Sequence, residues 1–149
     1  HYQLDFTIMR FFNTYGPRQK NDFVISKFIE LALQNKDITI YGDGSQTRSF
    51  LHVDDNVEFT INILEKKKLL NDVVNVGSDI EITIIDLANL IIKILKSQSN
   101  IIFLPPLKEG DMTRRKPDTL KMKEVYGKEI ISLEEGIQAV ASASHSKSF

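Results

Sequence analysis

The chain contains no cysteine. That removes disulfides, thiolate catalysis and cysteine-ligated metals, and it fits a cytoplasmic protein. No apolar run approaches the roughly 20 residues needed to cross a bilayer, so a soluble protein with no membrane partner is expected. A surplus of one charge is also lacking, with 19 Lys and Arg against 20 Asp and Glu and a net charge of -1. Such a balance gives no reason to expect nucleic acid or an anionic surface as a partner. Glycine numbers only 7, and no G-x-G-x-x-G or G-x-x-x-x-G-K-S/T phosphate loop occurs. The three histidines, His1, His52 and His145, lie far apart in sequence. No nucleophile-base pair and no metal site is therefore assigned, and no catalytic residue.

What is present is one domain's worth of chain, 149 residues with 42% hydrophobic and 26% charged, enough to bury a real core. From Phe6 to Phe12 the residues are apolar or β-favouring apart from Arg10, the pattern of a buried strand in an α/β sheet. The strand stops in Asn13-Thr14-Tyr15-Gly16-Pro17-Arg18. Ligands of open α/β sheets bind beyond the carboxyl ends of strands, which makes Asn13, Tyr15 and Arg18 candidate contacts by position. Read otherwise, Gly16-Pro17 is ordinary loop punctuation. The chain opens on His1 and enters this strand almost at once, as a piece of a longer protein would. Ser142 to Phe149 reads as a frayed or foreign tail beyond a domain at 1–141.

Ile25, Phe28, Ile29, Ala32 and Leu33 recur at helical spacing and predict a helix over about 22–34, with Asp22 placed to cap it. Asp37 to Tyr41 is a β-rich strand closed by Gly42-Asp43-Gly44, a hairpin-type turn signal that would set it near a second strand at Ser49–Val53. Asp54-Asp55 suits the first turn of a helix in which Val57, Ile61 and Leu64 share a face, ending in Lys66-Lys67-Lys68. Val73 to Gly77 is another apolar strand ending in a polar residue and a glycine. Thr83 and Asp86 form a capping box for a helix with Ile84, Leu87, Ala88, Ile91, Ile92 and Leu95 on one face. A strand at Ile101–Leu104 ends at Pro105-Pro106, a charged loop carries Arg114-Arg115-Lys116, a short helix follows Asp118, and Ser132-x-x-Glu135 caps a last helix from Leu133. The alternation indicates an α/β fold, with short late strands forming a smaller sheet. A parallel sheet this small needs further strands to be stable.

Arg18, Arg48 and Arg115, with asparagines at two strand ends, are anion-binding candidates. Arginine forks match phosphate geometry, and a diphosphate needs several donors from different segments. A single arginine is by default a solvated charge. Arg48 is set apart by its place between a tight turn and a strand. Tyr41, at a strand end, could stack on a base or fill core.

Four motifs in series then become recognisable: Arg10-Phe-Phe-Asn-Thr-Tyr-Gly-Pro-Arg18, Ile38-Thr-Ile-Tyr-Gly-Asp-Gly-Ser-Gln-Thr-Arg-Ser-Phe-Leu-His-Val-Asp-Asp55, Val74-Asn-Val-Gly77 and Arg115-Lys-Pro-Asp118. Together they resemble the extended short-chain dehydrogenase/reductase family of nucleotide-sugar epimerases, dehydratases and decarboxylases, and among these most nearly the UDP-glucuronate decarboxylases. The resemblance implies the C-terminal part of a Rossmann-type NAD(P)-binding fold plus the small α/β substrate-binding domain. It implies a UDP-sugar or dTDP-sugar as substrate, NAD as cofactor and a homodimeric parent. It places Asn13 and Arg48 on the diphosphate, Tyr41 against the pyrimidine, Asn75 on the nucleotide, Arg115 over the phosphates, and Tyr15, Gly16 and Pro17 beside the nicotinamide end of NAD. The family's glycine-rich NAD loop and Tyr-x-x-x-Lys pair precede the segment matching Arg10 to Arg18 and are absent here, so this chain by itself is expected to be inert. Met112 and Lys116 sit at positions that leave the sugar open. A non-catalytic member of the same fold, binding a nucleotide or RNA, is the alternative.

Overall fold

The computed structural model describes residues 3–107 and 113–145, and Met112 lies outside them. In chain order the elements are β1 (Thr7–Phe11), β2 (Thr14–Tyr15), α1 (Val24–Leu33), β3 (Ile38–Tyr41), β4 (Thr47–Ser49), β5 (Leu51–His52), α2 (Val53–Glu65), β6 (Asp72–Val76), β7 (Glu81–Thr83), α3 (Ile84–Leu95), β8 (Ile101–Leu104), β9 (Arg114–Arg115), α4 (Leu120–Tyr126) and α5 (Leu133–His145). The fold is α/β. Strand β1 runs parallel to β6, β2 to β5 and β3 to β8, while β4 lies between antiparallel β7 and parallel β9.

Two cores hold these pieces. In the first, Ile25, Phe28 and Ile29 of α1, Leu87, Ala88 and Ile91 of α3, and Ile137 and Val140 of α5 close around Ile38 and Ile40 of β3. The second packs Phe59 and Ile63 of α2 and Met122 of α4 on Leu51, Val74 and Val76. Phe59 and Ile137 are completely buried, and each such side chain stabilises by about 1.5–3 kcal/mol. Two helix starts follow the capping rule. Thr83 Oγ1 accepts from the Asp86 amide at 3.0 Å. Ser132 and Glu135 bond reciprocally, each side chain accepting from the other's amide, at 3.2 and 3.1 Å.

Several expectations are corrected. Asp22 does not cap α1, whose N-cap is Phe23 with no side-chain bond. The cap of α2 is His52, whose Nδ1 accepts from the Asp54 amide at 3.3 Å. Asp55 is buried and accepts from Tyr126 Oη and the Ile131 amide, both at 2.9 Å, so it staples α2 to the segment joining α4 and α5. Strands β3 and β4 do not pair with each other, because β8 takes the β3 edge and β7 with β9 take β4. The stretch expected as one strand at Ser49–Val53 is split at Phe50, and Val53 already begins α2. Residues 142–145 are the last turn of α5 rather than tail.

The apolar face of Val57, Ile61 and Leu64 on α2 points outward, and Leu4, Phe6, Ile8 and Phe11 along β1 are at least half exposed. Strand β1 is therefore not enclosed, because among the described residues only β6 pairs with it.

Candidate functional site

Strand ends meet where the sequence leads one to look. Beyond β1, Asn13 adopts a left-handed φ of 38°, a conformation asparagine tolerates better than most residues. Its Nδ2 donates to the Ser49 carbonyl at 2.9 Å, and its own carbonyl accepts from the Leu51 amide at 3.3 Å. Asn13 is thereby fixed to the β4–β5 junction. Gly44, at φ 76°, turns the chain from β3 towards β4, and an added Cβ there would press on Ile85 at 3.1 Å. The turn leaves Tyr41 and Arg48 on one cleft of about 580 Å³, which Asn13, Phe23, Lys27 and Gln46 also line. The Arg48 guanidinium donates to the Thr47 carbonyl at 2.7 Å, and Gln46 Nε2 to the Tyr41 carbonyl at 3.3 Å.

Arg115 is not among the residues that line this cleft, but it neighbours them across the sheet. It is the register partner of Arg48 in the parallel β4–β9 pair, and side chains opposite each other on adjacent strands share a face. The other face is neutralised, since Arg114 grips Glu81 with Nε and Nη2 at 2.9 and 2.7 Å and Thr47 donates to the same carboxylate at 3.0 Å. The Arg114 hydrogen bond foremost, with Thr47, holds the Glu81 carboxyl at about 2. The segment carrying Arg115 is anchored on β6. Asn75 Nδ2 donates to the Asp118 carbonyl at 3.0 Å. At Gly77 a Cβ would meet Phe12 at 2.9 Å and Pro117 at 3.0 Å, so only glycine lets the strands and this segment approach so closely.

Tyr15 also lines this cleft, whereas the other remaining predicted residues are placed differently. Tyr15 is buried in the first core, edge-on to Phe50 and His52, and burial pushes its hydroxyl pKa well up. Its hydroxyl and His52 Nε2 lack hydrogen-bond partners among the described residues. Gly16 is packed on Val53, where a Cβ would lie 2.4 Å from Cγ1. Arg18, at φ 75°, lines a separate crevice with Glu30 and Ser144 rather than the cleft. A larger recess of about 1000 Å³, between the 77–82 loop and residues 126–134, contains none of the predicted residues. The smaller cleft is the better site because convergent polar groups, not volume, distinguish a binding site. Phe23, Lys27 and Gln46 were missed by sequence reasoning. The four-residue spacing of Phe23 and Lys27 put them on one face of α1, a signal obscured by the expected cap at Asp22. No group of three metal-ligating side chains comes together among the described residues.

The model of the NAD dependent epimerase/dehydratase family matches residues 1–77. The chain belongs to that family. It is 41% identical over 130 residues to a UDP-N-acetyl-alpha-D-glucosaminuronate decarboxylase of Bacillus cytotoxicus, covering 82% of this chain and 40% of that protein. To UDP-glucuronic acid decarboxylase 1 of Danio rerio it is 41% identical over 133 residues, covering 87% of this chain and 31% of that one. Among solved structures it is similar to a UDP-glucose 4-epimerase of Thermotoga maritima crystallised with UDP-glucose, with a TM-score of 0.88 and 33% identity over 97% of this chain and 47% of that one. It is also similar to a Bacillus cereus UDP-glucuronic acid 4-epimerase in complex with UDP-glucuronic acid and NAD, with a TM-score of 0.83 and 31% identity over 94% and 45% of the two chains. The chain thus spans less than half the length of these relatives.

Proposed function

We propose that residues 1–141 are the nucleotide-sugar-binding portion of an NAD-dependent enzyme that oxidises a UDP-sugar or dTDP-sugar at C4 and then decarboxylates, dehydrates or epimerises it. Decarboxylation of UDP-glucuronate is the preferred reaction, in keeping with the names of the relatives. The observation that carries this reading is the convergence of Asn13, Tyr41 and Arg48 on one cleft with Arg115 beside Arg48. Two guanidinium groups and an amide suit a diphosphate, and an exposed tyrosine suits a base. Asn75 acts by holding the Arg115 segment, and Arg18, on its separate crevice, stays outside the set of contacts.

The residues present fit NAD along one edge only. Tyr15 is buried and Gly16 is packed on Val53, so the stretch Tyr15-Gly16-Pro17 offers main chain to the nicotinamide end and little else. When bound, NAD supplies the hydride acceptor for the sugar. The groups that grip the rest of it, and the acid/base pair, come from further chain that pairs with β1 and covers Val57, Ile61 and Leu64 of α2. The greater length of the relatives and the exposed apolar residues on β1 and α2 support this. The 149-residue chain alone is inert, and the whole enzyme is a homodimer.

Calorimetry tests the reading. The chain binds UDP, and Arg48→Ala weakens binding by about 1.5–3 kcal/mol, the scale of a charge-assisted hydrogen bond. Absence of UDP binding to the unaltered chain, or equal binding by the variant, overturns it. Turnover of NAD by the chain alone, with any UDP-sugar, overturns the assignment of the catalytic groups to further chain.

A further inference from the structure

Strand β1 carries one charge, Arg10, and the nucleotide-sugar cleft makes no use of it. Alternate residues of a strand share a face. Met9 and Phe11 stand opposite Val74 and Val76 of β6, which are buried in the second core, and Thr60 Oγ1 of α2 reaches Met9 Sδ at 3.7 Å. The odd-numbered residues therefore face α2. Phe6, Ile8 and Arg10 face the other way, beside Val73 and Asn75 of β6. Phe6 and Ile8 are 51% and 50% exposed, and Arg10 is exposed with them. Arg10 makes no hydrogen bond or ion pair among the described residues. Two acids held against β6 are already engaged, Asp72 by Lys121 Nζ at 2.7 Å and Asp118 Oδ1 by the Leu120 amide at 3.0 Å. The edge of β1 is open as well. Phe12 donates to the Val76 carbonyl at 2.9 Å, an alternation that turns the main-chain groups of Ile8 and Arg10 towards β6 and leaves those of Thr7, Met9 and Phe11 on the outer edge.

We propose that the chain which completes the sheet on the β1 side lays a carboxylate over this face, with Arg10 as its ionic anchor. This rests on the reading that further chain pairs with β1. An element that covers Phe6 and Ile8 takes the neighbouring guanidinium out of water too. A buried charge without a partner is strongly destabilising, so the covering surface has to bring the opposite charge. An Asp or Glu side chain does so with two parallel bonds to the guanidinium. Such a pair also sets the register of an otherwise apolar contact. A second copy of the chain fits the face less well, because docking by the same patch would bring Arg10 towards its own like charge.

Amide hydrogen exchange and thermal melts of the whole enzyme and of the 149-residue chain test it. The amides of Thr7, Met9 and Phe11 are expected to exchange slowly in the whole enzyme and freely in the chain. Arg10→Met keeps an apolar stem and removes the charge. In the chain, where Arg10 is solvated, it leaves Tm unchanged. In the whole enzyme it lowers Tm by at least about 5 °C, because the carboxylate is left buried and alone, and Arg10→Lys restores part of the loss. If the three amides exchange alike in both proteins, the reading of further chain on β1 falls and the anchor with it. If they are protected but Arg10→Met leaves Tm of the whole enzyme unchanged or raises it, the anchor is overturned while the completed sheet stands. If the chain alone sediments as a dimer that Ile8→Asp disperses, the face belongs to a second copy and the proposal is overturned.

Discussion

Arg48 and Arg115 stand opposite each other in the β4–β9 ladder, on the same face of a three-stranded sheet. Like charges directly opposite on adjacent strands destabilise a sheet, and the proposed function places a diphosphate beside both groups. Arg115→Ala is expected to leave the unliganded chain as stable or to stabilise it by a few tenths of a kcal/mol, up to about 1 kcal/mol, while weakening UDP binding. Thermal melts with and without UDP check this. A variant that loses unliganded stability without losing the UDP-induced rise in Tm would show that Arg115 is structural. Arg48→Lys should behave nearly as Arg48→Ala towards UDP, because an ammonium cannot reproduce the planar fork.

Asp55 is buried and is not among the residues that line the cleft. Its two acceptor bonds, from Tyr126 Oη and the Ile131 amide, join α2 to the α4–α5 connection. Asp55→Ala leaves both donors unpaired, and urea unfolding should show a loss of about 2–4 kcal/mol, from the cost of losing bonds to a buried carboxylate. A first-turn helix-dipole contribution alone would cost under about 1 kcal/mol.

Gly136 of α5 gives room to Tyr15. A Cβ there would sit 2.0 Å from the Tyr15 hydroxyl, which cannot be accommodated without displacing the ring or the helix. Gly136→Ala should cost about 1–3 kcal/mol as an overpacking change. Tyr15→Phe removes the clashing oxygen, a buried hydroxyl without a partner among the described residues, and should be neutral or slightly stabilising. In the double variant the penalty of Gly136→Ala should shrink, so a double-mutant cycle reads the contact directly. Additive effects would place the two residues out of contact.

Glu81 gives the protein an acid sensitivity. The Arg114 bond, aided by Thr47, lowers its carboxyl from 4.5 to about 2. A lowered folded-state value means that the native state holds the charged form, so the contribution is complete above about pH 4.5 and disappears as the pH falls towards about 2. Denaturation midpoints between pH 5 and pH 2.5 should fall less in Arg114→Ala than in the unaltered chain. Added salt should reduce that difference, since the Arg114 side chain is 66% exposed.

Much of the fold and of the cleft is legible in the residues alone. The 3.6-residue stripe of Ile84, Leu87, Ala88 and Ile91 marks α3, and the Thr83 and Ser132 caps mark two helix starts to the residue, because capping chemistry is local. The strand-end asparagine at 13 and the Gly-Asp-Gly turn before Arg48 locate the cleft, since strand ends and turns carry their own signals. The strand pairings are not legible in this way. Strand β3 is followed closely by β4 yet pairs with β8, some 60 residues on, and two-residue strands such as β5 and β9 carry too few side chains to show a period.

The sequence by itself determined the element types, the residues able to bind an anion and the absence of a phosphate loop, because each follows from side-chain chemistry within a few neighbours. Only the tertiary structure decided which of those residues meet. It joined Arg48 to Arg115 through a ladder, brought Phe23 into the cleft, sent Arg18 to another crevice, and turned the apolar faces of β1 and α2 outward. Those outcomes depend on long-range packing, where burial of a whole helix face outweighs any local preference.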